Sequence, residues 1–436
     1  MTAKHFGIIR IKKRTVPELL TYFIIFFPLI MGFLIEFLGV PSFIKYAVDA
    51  AYVAAFLFLI SKRQAFLDKK IFPFFMFTVV FFVYTVLMHM LNFQSPFYYL
   101  WGFRNNFRFF IAFILYSAFF EEDDLRNVLK VFDMLFWVNA AVSVFQFAVL
   151  GYEQDHLGGI FGVEKGCNAF TLIFFSVVVS KSILAFMSRK ENSLLCFAKC
   201  GISLLVAAMA ELKVYFIIFP FILIASALIT RFSFRKLSLM LVSTVMLIVA
   251  SVIITTIFKD DDIVSVKGLI ETITATNYST SEDLGRFYAI PTISRNILTK
   301  PWEKLFGLGL GNCDTSSFAI CNTPFYMSHS YLHYEWFSSA TMFLETGYVG
   351  LAVYLSFFVI CFVMARKRMK SGLSDELFCQ ISMIASLICV IMFFYNSALR
   401  TEAAYISFFA LVLPFSGGKM QEQQIARQSD GLLSPL

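Results

Sequence analysis

The residues best suited to chemistry lie in one long polar stretch, positions 258–337, and at the start of the apolar segment that follows it. Gly285-Arg286 joins a permissive backbone to a cation that stays protonated at any working pH. The planar fork of that arginine suits a diphosphate, to which it can donate paired charge-assisted hydrogen bonds. A salt bridge to Asp283 or Glu282 is the plainer alternative. His329 and His333 stand at i,i+4 in His329-Ser330-Tyr331-Leu332-His333. An imidazole can accept a proton from a sugar hydroxyl, and the plain reading is a pair of hydrogen-bonded loop histidines. The same spacing can ligate a metal, but there is no HExxH pattern and no third ligand in register, so no metal is expected. Glu345, in Glu345-Thr346-Gly347, is a candidate base or hydrogen-bond organiser, or simply a cap. The run Gly307-Leu308-Gly309-Leu310-Gly311 lacks the Lys-Ser/Thr ending of a P-loop, which removes one route to nucleotide binding.

Something must hold these groups in place, and the rest of the chain is built of apolar blocks. Of 436 residues 59% are hydrophobic and 15% charged, with a mean hydropathy of +0.75, too apolar to cover a soluble surface. Crossing hydrocarbon takes roughly 20 residues per helix, with every backbone group paired inside the segment. The expectation is an all-α polytopic membrane protein of about twelve spans with both termini cytoplasmic. Residues 1–257 hold the first nine spans and 258–338 a large outer loop with short helices. Residues 339–416 hold the last three spans, and 417–436 a cytoplasmic tail. The first span, near 17–38, is too long for a signal peptide and lacks its cleavage site. The net charge of +7 reflects Lys and Arg in short loops on one side, a topology signal that argues against nucleic acid. The 56 Phe residues are read as lipid-facing and helix-packing groups.

Further charges gather at the outer ends of the spans. Arg104 and Arg108, one turn apart, are lipid-headgroup anchors or an anion site. Lys213, at the tight turn between the seventh and eighth spans, either bridges Glu211 or faces a ligand. Arg400 and Glu402 open the twelfth span, expected near 399–416. Lys165 lies in the outer loop Gly151–Cys167, and Asn168 starts the sixth span. Lys45 and Asp49 form an i,i+4 couple. Arg286 is expected in an amphipathic helix running from Asp283 to Leu298, with Arg295 on the opposite side unless Pro291 breaks it. Cys313 and Cys321 share the polar loop, as a local disulfide or as two thiols.

These residues resemble the O-antigen polymerase and O-antigen ligase superfamily over most of the chain. The parts that carry the resemblance are Gly159-Ile160-Phe161-Gly162 followed by Asn168, the basic residue at the Lys213 turn, Gly285-Arg286, the glycine run after Lys304-Leu305-Phe306, the histidine segment, and Glu345-Thr346-Gly347-Tyr348-Val349-Gly350. The resemblance implies a metal-independent, cofactor-free, inverting glycosyl transfer at the periplasmic face of a bacterial inner membrane. Its substrates would be an undecaprenyl-diphosphate-linked glycan donor and acceptor. Carried onto this chain, Arg286 and Lys213 would bind diphosphate, and His329 or His333 would face the acceptor. Arg104, Arg108 and Arg400 stand as further diphosphate candidates, and Asn168, Lys165 and Tyr331 as glycan contacts. Membrane lipid and a chain-length-regulating protein are the other expected partners. There are two departures: Lys213 stands where the family usually has Arg, and the family's usual eleven-residue interval from His to the glycine of its Glu-x-Gly element lands on Trp336. The leading expectation is a polysaccharide polymerase; a ligase acting on lipid A-core and a glycan or lipid transporter are the rivals.

Overall fold

The computed structural model describes residues 14–416, apart from 62–67, 69, 165, 231–233, 258–274, 276, 278–282 and 317. Among the described residues every regular element is a helix. The long ones in the first part are α1 (Val16–Glu36), α2 (Tyr46–Ser61), α3 (Phe72–Leu91), α4 (Pro96–Phe119), α5 (Glu122–Ala148), α6 (Asn168–Met187), α7 (Ser193–Met209), α8 (Tyr215–Ile229) and α9 (Phe234–Ile257). Three short helices follow in the polar segment: α10 (Ala289–Asn296), α11 (Pro301–Phe306) and α12 (Pro324–His329). The chain closes with α13 (Ser338–Lys370), α14 (Glu376–Tyr395) and α15 (Ala404–Val412). Starts are set locally. Thr15 opens α1 with its amide bonded to the Glu18 carboxylate at 3.0 Å, and the Asp375 side chain accepts from Leu377 N at 2.8 Å to open α14.

Among the described residues eight helices are long and apolar enough to cross a membrane; α7, α8 and the segment Ala404–Phe415 are apolar but shorter. The protein is therefore an all-helical, multi-pass membrane protein. Helix α4 has the length but not the hydropathy, because Arg104, Asn105, Asn106 and Arg108 interrupt it. The largely buried α6 and α14 pack against each other, with α8 against both. Phenylalanine fills the interior: Phe357 lies 4.9 Å from Phe110, 5.1 Å from Phe77 and 5.3 Å from Phe113 between ring centroids. Other Phe side chains, Phe93 and Phe234 among them, are exposed.

Three elements differ from the sequence expectation. The amphipathic helix is only Ala289–Asn296, so Arg286 lies in the preceding turn. Pro291 does not break it, because it is the third residue, where the helix needs no amide donor. Helix α13 bends at Gly347 (φ 63°), a left-handed conformation that Gly adopts without steric cost. The last helix begins at Ala404, after a turn in which Arg400 N donates to Ser397 O at 2.8 Å and Ala404 N to Thr401 O at 3.0 Å.

The glycine run is a joint between helices. Leu308 N and Gly309 N donate to the carbonyls of Leu344 and Glu345 at 2.8 and 2.9 Å, just before the α13 bend. The Leu310 carbonyl meets His89 Nδ1 at 3.1 Å, and a Cβ on Gly102 of α4 would come within 2.5 Å of the Gly311 amide. Gly311 itself (φ 80°) is backed against the Tyr98 carbonyl. Gly311→Ala is expected to lower stability by about 2–4 kcal/mol, combining positive-φ strain with overpacking. Thermal unfolding of the detergent-purified protein checks it; unchanged melting would mean that the joint can open without loss.

Candidate functional site

Arg286 and the histidine segment are brought together by the main chain. Leu284 N donates to Leu332 O at 3.1 Å, setting the turn that carries Arg286 beside the residue before His333. The Arg286 guanidinium lies over the Tyr395 ring, 4.0 Å from its centroid, at the last residue of α14. Next to it, Asn396 O accepts from Ser338 N at 3.0 Å, which fixes the start of α13. Arg286, Tyr395, Asn396, Ser338 and His333 thus belong to one closed circuit of chain. Stacking uses the face of a guanidinium, and its donors lie along the edge.

The two histidines do not share a helical face. Helix α12 ends at His329, and His333 is left-handed (φ 49°), so the i,i+4 geometry is lost. The imidazole of His333 stacks on Trp336 at 4.1 Å and its Nδ1 lies 3.4 Å from Glu335 Oε1. His329 stacks on Phe325 at 4.3 Å, with Nδ1 within 2.8 Å of Ser328 Oγ and 3.1 Å of Phe325 O. Tyr331 is exposed, its ring 6.4 Å from that of His329. Both imidazoles are half-exposed and held flat by a ring, which suits a group that must face a substrate in a fixed orientation. No group of three potential metal ligands occurs among the described residues.

Lys213 pairs with Glu211 at 2.7 Å across a turn in which Glu211 is itself left-handed (φ 51°). Asn168 joins this turn to the preceding loop, donating through Nδ2 to Asp155 at 3.0 Å and to Ala210 O at 3.3 Å. Helix α14, which carries the Arg286 contact, packs on both α6 and α8, the helices that begin at Asn168 and just after Lys213. Lys165 lies outside the described residues. The resemblance element Gly159–Gly162 is another joint. Gln146 bonds both the amide and the carbonyl of Gly159, at 2.8 and 2.9 Å, and Asn139 Oδ1 accepts from Ile160 N at 2.8 Å.

The three remaining arginines bond internal carboxylates. Arg104 meets Asp49 at 2.8 Å, so Asp49 pairs across helices with Arg104, and Lys45 lies over the Tyr46 ring at 5.4 Å. Arg108, buried, meets Glu402 and the Arg400 carbonyl, both at 3.1 Å. Glu402 is held below the usual carboxylate range: burial would raise it, and the charge of Arg108, its hydrogen bond, a backbone hydrogen bond and the charge of Arg104 together more than offset that. Arg400 meets Asp314 at 2.8 Å, and the same Asp314 oxygen accepts from Asn105 Nδ2 at 2.8 Å. One polar network therefore ties α2, α4, the polar segment and the α14–α15 turn together. Glu345 lies beneath it, 1% exposed, with no hydrogen bond to either carboxyl oxygen among the described residues. The amides of Gly311 and Cys313 face it outside bonding geometry.

Sequence reading missed Asp314, Tyr395 and Asn396 as site neighbours. It also missed a buried charge group elsewhere: Asp133 of α5 meets Lys199 of α7 at 2.9 Å and also bonds Lys181 of α6. Ionisable groups inside apolar helices were the available signal.

Cys313 and Cys321 are both thiols. Burial pushes Cys313 well above the ordinary thiol range, with Glu345 and Asp314 adding to the effect. A maleimide is therefore expected to label the half-exposed Cys321 in the folded protein and Cys313 only after denaturation, as peptide mass mapping would show. Equal labelling of both in the native state would contradict the buried position of Cys313. Compared with known proteins, the chain matches no family model, and no curated protein is significantly similar to it.

Proposed function

We propose that the chain is an inner-membrane glycosyltransferase that joins undecaprenyl-diphosphate-linked oligosaccharide repeats into O-antigen or capsular polysaccharide at the periplasmic face. The observation that carries this reading is the Leu284–Leu332 link, which sets a stacked arginine and an oriented histidine on one short circuit of chain. Arg286 binds the lipid diphosphate, and Lys213 adds a second cation from the α7–α8 turn. Diphosphate already leaves readily, so fixed cations on its growing charge matter more than a general acid. His333 or His329 orients and deprotonates the acceptor hydroxyl. Arg104, Arg108 and Arg400, engaged with Asp49, Glu402 and Asp314, serve as the frame. In this reading about twelve helices span the membrane with both termini cytoplasmic, α4 crossing as a helix whose arginines are neutralised inside the bundle.

Deletion of the gene, read on a gel of the cell-surface glycan, tests the assignment. Single repeats left attached to lipid A-core support a polymerase, and loss of all attached glycan supports the ligase. The observation that favours a transporter is the Asp133–Lys199 group within the helices. Its acids and lysines neutralise one another in a buried cluster, which also suits a static anchor.

A further inference from the structure

The proposed transfer leaves two histidines as candidates for the group that takes the acceptor proton, and their surroundings differ. His333 is held from both sides along the chain. Leu332 before it and Tyr334 after it are buried, with Leu332 O accepting from Leu284 N at 3.1 Å and Tyr334 Oη donating to Cys313 O at 2.6 Å. Between these anchors His333 is left-handed (φ 49°), a conformation that costs a residue with a side chain energy and persists only where its neighbours enforce it. The imidazole is left half-exposed between two buried neighbours. One face lies on Trp336, the ring planes 9° apart, and Nδ1 faces Glu335 Oε1 at 3.4 Å. We propose that Glu335 is the positioning residue of His333: its carboxylate accepts the Nδ1 hydrogen, which leaves the Nε2 lone pair for the acceptor hydroxyl. The inference rests on the glycan-transfer reading and deepens it by choosing between the histidines.

The Glu335 side chain is not committed elsewhere. Among the described residues no lysine or arginine pairs with it, His333 is its one hydrogen-bond partner, and its second oxygen, Oε2, is enclosed without a partner. His329 differs here. Its Nδ1 lies against neutral groups, Ser328 Oγ at 2.8 Å and Phe325 O at 3.1 Å. Either arrangement can fix a tautomer, but only a carboxylate offsets the positive charge that develops when the imidazole takes a proton. His333 also follows directly on Leu332, whose bond to Leu284 sets the turn that carries Arg286.

In the step itself, the acceptor hydroxyl oxygen forms a bond to the anomeric carbon of the donor as the bond from that carbon to the diphosphate oxygen breaks. The electron pair leaves with undecaprenyl diphosphate. The hydroxyl proton passes to His333 Nε2 and from there to water. Glu335 gains no proton and touches neither substrate; it holds the transient imidazolium by charge and by the Nδ1 hydrogen bond. Trp336 keeps the ring from turning out of line while this happens.

The test compares initial rates of the purified full-length protein in liposomes over a range of lipid-linked repeat-unit concentrations. His333→Ala is expected to lose about 10²-fold or more in turnover and to be the more severe of the two histidine replacements. Glu335→Gln keeps the shape without the charge and should lose about tenfold in turnover, with the concentration for half-maximal rate unchanged. Added to His333→Ala, Glu335→Gln should cost nothing further, whereas a carboxylate with a merely structural role would add its own loss. Nitrogen-15 spectra of histidine-labelled protein give a readout without turnover. His333, identified by the resonance missing from His333→Ala, should carry its ring hydrogen on Nδ1 when neutral. Full turnover in Glu335→Gln, a further loss in the double variant, a greater loss in His329→Ala, or a ring hydrogen on Nε2 would each overturn the proposal, while turnover by the unmodified protein would leave the polymerase reading standing. The spectrum of the unmodified protein decides the matter even if Glu335→Gln fails to fold. Repeat units left unjoined by the unmodified protein would remove that reading and this inference together.

Discussion

Arg286→Ala is expected to abolish long-chain glycan while the protein still accumulates in the membrane. Removing a preorganised charge from a developing anion typically costs about 10²–10³ in rate, and a processive reaction compounds that loss at every addition. The side chain lies in a turn, outside any helix, stacked on Tyr395, so its removal spares the packed helices. Arg286→Lys keeps the charge but loses the fork and much of the stacking, and should retain short chains only. Tyr395→Ala removes the ring that holds the guanidinium flat and should fall between the two. Chain-length distribution on a gel, with immunoblotting for protein level, reads all three. Normal chain length in Arg286→Ala would remove the residue from the mechanism.

Arg400→Met or Asp314→Leu is expected to cost about 3–5 kcal/mol of stability, because either change leaves the other charge buried and unpaired. The side chains are 9% and 6% exposed and meet at 2.8 Å, and the pair links the polar segment to the α14–α15 turn. The double variant should melt closer to the original protein than either single one, since two apolar groups leave no stranded charge. Thermal unfolding in detergent measures the cycle. If Arg400 instead served a substrate, Arg400→Met would lose activity with melting unchanged, and the frame role would fail.

Much of the architecture was legible because apolar blocks of helical length have few alternatives in a membrane. The need of Arg104 and Arg108 for partners was legible too, since two arginines in an apolar helix are costly. The partners themselves were not: Asp49 is 55 positions from Arg104, and Glu402 is 294 from Arg108. Local spacing misled at the histidines, where a single left-handed residue, His333, ends the helical relation that i,i+4 implies. The glycine run was legible only as lacking the P-loop ending and as part of the resemblance, and its glycines serve close helix contacts at Gly102, Tyr98 and Glu345. Nothing local distinguishes a glycine that admits a ligand from one that admits another backbone. The Leu284–Leu332 link joins two stretches that read separately as a helix and a histidine motif, so their meeting emerges only from the fold.

The most direct measurement places the purified protein in liposomes with a synthetic undecaprenyl-diphosphate-linked repeat unit on the exposed face, and follows product length by mass spectrometry. The account predicts a ladder of lipid-linked products growing by whole repeats, with free undecaprenyl diphosphate released at each step and no requirement for added metal or nucleotide. Unchanged repeat units, or repeat units carried across the bilayer without joining, would contradict it.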